Sequence, residues 1–270
     1  MPVRLLAVTF AVLAAMTPPV AGQTADVVKE AGRLLQNPTA AFVEKSLTNA
    51  DGTKSPYVVC VPAGYDPKSD KAKPLPVILF LHGSGESKGG GKMPIEQGLC
   101  NGHFQKQAKK FPAIVVVPQC ETRKTGWNAN SPDGLRAIAM LDATIKEYQC
   151  DAGRQYLTGL SMGGYGAWSL AAAYPERWAA VVPICGGGTP SDAEKIKDLP
   201  IWAFHGDADG AVKVEKSRDM VAALKAAGGK PRYTELAYVG HNSWDAAYAV
   251  DELYSWMFAQ KKAVKASQER

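Results

Sequence analysis

The chain has 270 residues, 46% of them hydrophobic, which is enough to bury the core of one domain that mixes strands and helices. The formal net charge is +5 at neutral pH. Much of this charge lies in a basic tail, at Lys261, Lys262, Lys265 and Arg270. No basic stripe interleaved with aromatic residues accompanies it, so the composition argues against a nucleic-acid-binding protein.

The first 22 residues have the pattern of a secretory signal peptide. Arg4 provides the positive charge and residues 5–16 an apolar run. The segment ends in small residues, Val20, Ala21 and Gly22. Because the run is shorter than the roughly 20 residues that a membrane helix needs, we predict a secreted or periplasmic protein without a membrane span. We expect residues 23–270 to form one catalytic domain.

Five cysteines in a chain that reaches an oxidising compartment predict one or two disulfides, with at least one thiol left over. They are Cys60, Cys100, Cys120, Cys150 and Cys185. Their spacing does not determine the pairing. There is no C-x-x-C pair and the four histidines are scattered, so no metal site is predicted. The oligomeric state is left open.

In chain order, the first elements form a predicted antiparallel hairpin. Residues 42–47 and 57–61 are strand-like and flank an Asp51-Gly52 turn. Six later apolar runs lack polar alternation, which is typical of strands covered on both faces. They lie at 77–81, 114–117, 156–158, 180–184, 201–204 and 233–238.

Helices are predicted between and after these strands. The clearest covers residues 132–148, with Ser131 as N-cap and Pro132 as first helical residue. Its expected apolar face is Leu135, Ile138, Leu141, Ile145 and Tyr148. Further helices are predicted at 165–173, 217–227 and 247–260. Strands that alternate with helices predict an α/β fold, with a mostly parallel central sheet and helices on both faces.

Residues 159–163, Gly-Leu-Ser-Met-Gly, match the pattern G-x-S-x-G between a predicted strand and a predicted helix. A tight strand-to-helix turn strains the backbone of Ser161 and exposes its hydroxyl. Small residues are needed because the strand and helix backbones approach closely there. The turn also places the amide of Met162 at a helix N-terminus, which favours an anionic oxygen. Ser161 is therefore the candidate nucleophile.

A serine hydroxyl needs a base and an acid that orients the base. His241 is the candidate base, because it lies between the last predicted strand and the last helix. The acid is expected on the loop after strand 201–204, where both Asp207 and Asp209 qualify. The chain order Ser, Asp, His agrees with either carboxylate.

These motifs resemble the α/β-hydrolase superfamily, in particular predicted peptidases, polyhydroxybutyrate depolymerase-like proteins, and feruloyl and acetylxylan esterases. The matching stretches are Leu81-His82-Gly83-Ser84-Gly85-Glu86, Val117-Pro118-Gln119-Cys120, residues 159–166, Phe204-His205-Gly206-Asp207-Ala208-Asp209 and Gly240-His241-Asn242-Ser243-Trp244. The resemblance covers about residues 40–260. It implies that Asp209, the last residue of an H-G-x-x-D pattern, is the acid, and that Asp207 fixes the loop.

The resemblance also implies an oxyanion hole formed by the backbone amides of Ser84 and Met162. Trp127 and Trp244 are candidate substrate-binding residues that border the acyl pocket; plain packing is the alternative for both. The segment 185–200, where such folds usually grow a lid, is too short for a large cap. We therefore expect a minimal lid or none, and an open site.

The resulting expectation is a secreted serine carboxylic ester hydrolase that acts through an acyl-enzyme. Its expected substrates are small-molecule or polysaccharide-linked esters of short-chain or aromatic acids, of feruloyl or acetyl type, and no cofactor is required. One alternative is a serine peptidase on short peptides. Another is a catalytically inactive, carbohydrate-binding protein of the same fold, and an acyltransferase is the third.

Overall fold

A computed structural model describes residues 40–70, 72–88, 95, 97–100 and 113–262 of the chain. The predicted signal peptide, its boundary at residue 22 and the end of the basic tail lie outside the described residues, so these stay predictions.

Eight strands form one sheet, in the order β1-β2-β4-β3-β5-β6-β7-β8. They are β1 (Ala40–Thr48), β2 (Lys54–Pro62), β3 (Val77–Leu81), β4 (Ile114–Pro118), β5 (Gln155–Leu160), β6 (Ala180–Ile184), β7 (Trp202–Gly206) and β8 (Arg232–Leu236). The predicted hairpin is confirmed, because β1 pairs antiparallel with β2 in the register Val43 to Val59. Strand β2 is also antiparallel to β4, and the strands from β3 to β8 are parallel.

Helices cover both faces of the sheet, as predicted. They are α1 (Pro132–Tyr148), α2 (Met162–Ala173), α3 (Ala193–Ile196), α4 (Glu215–Ala226), α5 (Ser243–Tyr248) and α6 (Asp251–Ala259). Alternate residues of β3 enter two separate cores: Leu79 packs with residues of α1, α2 and α4, whereas Ile78 packs with residues of α5 and α6. Side chains of a strand point alternately to its two faces, so the sheet lies between two apolar layers.

Helix α1 has the predicted bounds and the predicted cap. The Ser131 hydroxyl accepts a hydrogen bond from the Gly134 amide at 3.0 Å, and Pro132 is the first helical residue. Leu135, expected on the buried face, is 51% exposed, so that part of the predicted face is wrong.

The predicted last helix, 247–260, is two helices rather than one. Val250 is extended and separates α5 from α6. The Tyr254 hydroxyl donates to the Tyr248 carbonyl at 2.8 Å, which satisfies a carbonyl group that the break would otherwise leave without a helical partner.

Strand β8 differs from its prediction because it is an edge strand. It ends at Leu236, two residues early, and its residues are half-buried or exposed rather than covered on both faces. Tyr238 lies beyond its end with a φ of 59° and belongs to a turn. None of the described helices is long and apolar enough to cross a bilayer.

The cysteines correct the prediction of two disulfides. Cys120, Cys150 and Cys185 are buried free thiols, each on or beside a packed element. At most one pair therefore remains among the five cysteines, and the side chain of Cys100 lies outside the described residues. The prediction of at least one free thiol is confirmed.

Candidate active site

The strand order places a crevice at the carboxyl ends of β3 and β5. The chain leaves β3 towards β4 on one side and returns to β5 on the other, and ligands of open α/β sheets bind at such a switch point. Gly83 follows β3 and Ser161 follows β5. A Cβ atom built on Gly83 would lie 3.7 Å from the Cβ atom of Ser161, so the loops after the two strands are adjacent.

Ser161 has the strained backbone that its motif predicts. Its φ of 54° and ψ of −117° are unusual for a residue other than glycine, and it directly precedes α2. The Ser161 amide donates to the Ile184 carbonyl at 3.0 Å, which ties the turn to β6. A Cβ atom on Gly159 would come within 2.3 Å of the Gly163 carbonyl oxygen. The motif glycines are therefore required by the close approach of two backbones.

The structure brings the three predicted side chains into one hydrogen-bonded chain. His241 Nε2 lies 2.9 Å from Ser161 Oγ, and His241 Nδ1 lies 2.7 Å from Asp209 Oδ2. With a proton on Nδ1, His241 donates to the carboxylate and presents its other nitrogen to the hydroxyl as an acceptor. This arrangement can take the proton of Ser161 as the oxygen attacks.

The Asp209 carboxylate is held on both oxygens. Its Oδ1 accepts from the amides of Ala211 at 2.9 Å and Val212 at 2.8 Å, while Oδ2 faces His241. Burial raises the pKa of Asp209, but the hydrogen bonds from His241 and the two amides outweigh it, and the net pKa lies below the usual value. Asp209 therefore stays ionised and can stabilise a protonated imidazole.

Asp207, the alternative acid, does not contact His241 in the structure. Its Oδ1 accepts from the Tyr238 amide at 2.6 Å, and its own amide donates to the Leu236 carbonyl at 3.1 Å. Both contacts reach the chain just before His241. Asp207 therefore joins the loop of the acid to the loop of the base.

Paired substitutions separate the two carboxylates. We expect Asp209→Asn to lower kcat by about ten-thousand-fold, because an amide cannot hold the required tautomer of His241. Asp207→Asn keeps an oxygen that accepts from Tyr238, so its effect on kcat is expected to be far smaller. Steady-state hydrolysis of a nitrophenyl ester by both variants measures this. A larger loss in Asp207→Asn than in Asp209→Asn contradicts the assignment.

Cys185, Asp209 and His241 also form a group whose candidate ligand atoms lie within 4.8 Å of one another. Burial raises the pKa of the Cys185 thiol to about 12, so the sulfur is neutral at physiological pH. The histidine and the carboxylate already form a hydrogen bond with each other, at 2.7 Å. The group therefore fits a catalytic triad with a neutral thiol packed beside it better than it fits a cation site.

Hydrogen bonds of the buried His82 hold the loop after β3 in place. The Cys120 amide donates to Nε2 of the buried His82 at 3.1 Å, and His82 Nδ1 lies 2.7 Å from the Gly83 carbonyl oxygen. Burial lowers the pKa of His82 to about 4, so this ring is neutral and donates from Nδ1.

The two residues whose amides are the predicted oxyanion donors lie beside Ser161. Ser84 begins the 3-10 turn Ser84–Glu86, and Met162 is the first residue of α2. Ser84, Ser161 and Met162 all line one cavity.

This cavity has a volume of about 920 Å³, and Ser161 lies on its wall. The prediction of a minimal lid is confirmed for the segment between β6 and β7, which contains only the turn Pro190–Asp192 and the four-residue α3. Thr189, Asp192 and Lys195 of that segment line the cavity, and the segment has too little helix to form a large cap. An open cleft of this size has room for far more than an acetyl group.

The two candidate substrate-binding tryptophans occupy different places. Trp127 lines the cavity, but it is only 1% exposed, and its indole nitrogen donates to the His82 carbonyl at 2.9 Å. Trp244 is not among the described residues that line the cavity. Its ring meets that of His241 edge to face, with centroids 5.4 Å apart. Trp127 thus combines packing with a cavity wall, whereas Trp244 supports the position of His241.

Several cavity residues were not singled out from the sequence. They include Arg123, Lys124, Tyr165, Trp168, Lys195 and Met220. Tyr165 follows the serine motif and is 40% exposed, so its position after Gly164 was the one available signal. Trp168 lies on the same helix as Tyr165. The others come from segments far apart in the chain, and only the fold brings them together.

No protein-family model matches the chain. It is 26% identical over 149 residues to a bifunctional acetylxylan esterase/xylanase of Neocallimastix patriciarum, a match to 55% of this chain and 21% of that protein. It is 30% identical over 125 residues to feruloyl esterase B of Neurospora crassa, a match to 43% of this chain and 40% of that protein. The chain thus spans less than half the length of these two relatives.

Among solved structures, a thermostable esterase superposes with a TM-score of 0.72 at 33% identity. The match covers 82% of this chain and 63% of that one. Together with the parallel sheet, its two helical layers and the strained serine after β5, these similarities identify the fold. The chain has the α/β-hydrolase fold.

Proposed function

We propose that the protein is a serine hydrolase that cleaves carboxylic esters through an acyl-enzyme on Ser161. The observation that carries the proposal is the continuous hydrogen-bonded chain from Ser161 through His241 to Asp209, with the serine at the wall of an open cavity. The esterases among the similar proteins support the same reaction class.

In this mechanism, His241 Nε2 removes the proton of Ser161 as Oγ attacks the ester carbonyl carbon. The oxygen that becomes anionic is bound by the amides of Ser84 and Met162, a contribution of about 3 kcal/mol per donor in such sites. The tetrahedral intermediate collapses, the alcohol leaves with the proton of His241, and the acyl group stays on Ser161. His241 then removes a proton from water as the water oxygen attacks the acyl carbon. The bond to Ser161 Oγ breaks, Oγ takes the proton back from His241, and the carboxylic acid leaves.

We further propose short-chain or aromatic acids as the acyl groups, including those attached to a polysaccharide. Tyr165, which is 40% exposed on the cavity wall, provides a surface on which an aromatic acyl group or a sugar can pack. Trp127 and Trp168 lie buried behind this wall. Because the segment between β6 and β7 does not cap the cleft, an ester on a bulky polymer can approach Ser161.

A substrate panel tests this proposal against a peptidase. We expect turnover of nitrophenyl acetate and butyrate, methyl ferulate or acetylated xylan, and little turnover of nitrophenyl decanoate or a peptide anilide. Each rate is measured with wild type and with Ser161→Ala, so that only the Ser161-dependent part counts. Turnover of the anilide alone indicates a peptidase, and formation of a new ester with added alcohol in preference to hydrolysis indicates an acyltransferase. Binding of xylan without Ser161-dependent turnover favours a carbohydrate-binding protein.

We also propose that the protein is exported, on the basis of the leader pattern in residues 1–22. Mass spectrometry of the protein recovered outside the cytoplasm is expected to give a chain that begins at Gln23. A chain that retains the leader contradicts this proposal.

A further inference from the structure

A second histidine contacts the acid of the proposed triad. His205, on β7, is fully buried, and its Nε2 lies 3.2 Å from Asp209 Oδ2. This is the same carboxylate oxygen that faces His241 Nδ1 at 2.7 Å. One oxygen of Asp209 therefore has two imidazole rings as neighbours.

The surroundings of His205 determine where one of its protons is. Besides Asp209, the neighbour of Nε2 is the Val212 carbonyl oxygen at 2.9 Å. A carbonyl oxygen and an ionised carboxylate can only accept hydrogen bonds, so Nε2 must carry a proton. The Nε2–H group donates to the Val212 carbonyl oxygen at 2.9 Å, and Asp209 Oδ2 lies beside this bond at 3.2 Å without being its acceptor.

The opposite side of the ring is anchored by a helix. His205 Nδ1 lies 2.7 Å from the hydroxyl of Ser217, a fully buried residue of α4. The same hydroxyl lies 3.1 Å from the Gly186 carbonyl oxygen, just after β6. In either orientation of the hydroxyl proton, the ring remains tied to α4 while Nε2–H points to the Val212 carbonyl oxygen.

We propose that His205 is a positioning residue of the catalytic site, held by Ser217, that fixes the Asp209 carboxylate against His241. The Val212 carbonyl accepts from His205 Nε2–H, and the Val212 amide donates to Asp209 Oδ1, so His205 holds the residue that holds the carboxylate. The edge of its ring also borders Oδ2, at 3.2 Å. Removal of this donor frees Val212, and with it the Asp209 carboxylate, to move away from His241, which disturbs the tautomer and orientation of the base. The inference rests on the proposed function for its kinetic consequences but not for its geometry.

Three variants test this role. His205→Leu removes the donor, His205→Gln keeps an N–H group near the position of Nε2, and Ser217→Ala removes the anchor without touching Asp209. Thr144→Val is the matched control, because Thr144 is a fully buried residue of α1 whose hydroxyl donates to the Met140 carbonyl. Two quantities are measured: kcat and KM for nitrophenyl acetate, and the low-field proton resonance of the hydrogen bond between His241 and Asp209.

We expect His205→Leu to lower kcat about tenfold or more at nearly constant KM, as for other groups that orient a functional side chain. The low-field resonance is expected to shift or broaden, and His205→Gln to restore most of both. Ser217→Ala is expected to show a smaller change of the same kind, and Thr144→Val only a lower melting temperature.

The inference is overturned if His205→Leu melts earlier but keeps the kcat and the resonance of the wild type. If His205→Leu does not fold, Ser217→Ala decides, since an unchanged kcat and resonance there exclude the role. Should the wild type hydrolyse no ester, the proposed function fails, while the resonance of His205→Gln and Ser217→Ala still tests the positioning contact.

Discussion

Replacement of Ser161 by alanine is expected to lower kcat for a short nitrophenyl ester by about a million-fold, because the oxygen that forms the acyl-enzyme is lost. The fold should persist, since alanine only removes a hydroxyl whose partner in the structure is His241 at 2.9 Å. Any residual rate comes from binding and from the oxyanion donors. Steady-state kinetics together with a thermal melt separates loss of chemistry from loss of structure.

Ser255→Ala is the matched control. The Ser255 hydroxyl lies on α6 and donates to the Glu252 carbonyl at 3.0 Å. Its removal is expected to leave kcat unchanged. Retention of substantial activity in Ser161→Ala, with normal folding, would rule out Ser161 as the nucleophile.

Replacement of Gly163 by alanine is expected to have the largest structural effect. The new Cβ atom would lie 1.9 Å from the Leu81 carbonyl oxygen and 2.5 Å from the Leu81 carbonyl carbon, both in the backbone of β3. Such an overlap forces α2 and β3 apart, so we expect the free energy of unfolding to fall by more than about 4 kcal/mol. Denaturant unfolding measures it.

Gly210→Ala is the control for this change. A Cβ atom on Gly210 would meet nothing within 4 Å. The same chemical change is therefore expected to alter stability by less than about 0.5 kcal/mol. Similar stabilities for the two variants would show that helix α2 and strand β3 are not packed as described.

The local features of the fold could be predicted from the sequence because their causes are local. The hairpin follows from alternating residues around Asp51-Gly52, and α1 from its cap at Ser131. The glycines of the G-x-S-x-G motif predict that the backbones of β5 and α2 approach closely. A turn this tight strains the backbone of Ser161, as the structure shows.

Features that depend on tertiary contacts were predicted less well. The break at Val250 is accompanied by a hydrogen bond from the Tyr254 hydroxyl to the Tyr248 carbonyl, which a local pattern does not reveal. The apolar run of β8 predicts an interior strand, but the order of the strands places β8 at the edge of the sheet. Two disulfides were allowed by the compartment alone, but three thiols are buried apart in packed elements. An oxidising compartment permits disulfides, but it does not indicate which cysteines lie close enough to form one.

The candidate site shows the same division. The positions of Ser161 and His241 follow from motif and chain order, whereas the choice between Asp207 and Asp209 needed the resemblance to a family. In the structure, the choice depends on two loops that meet: Asp209 reaches His241, and Asp207 reaches the Tyr238 amide. The contact between His205 and Asp209 had no signal in the sequence beyond a histidine at a strand end.

The central claim is that Ser161 carries the acyl group during turnover, and the most direct measurement is the mass of the intact protein after rapid acid quench with nitrophenyl acetate. The account predicts a wild-type population heavier by one acetyl group, mapped to Ser161 by peptide analysis, and no such population in Ser161→Ala. Turnover without any acetylated protein, or an acetyl group on another residue that also forms in Ser161→Ala, would contradict it.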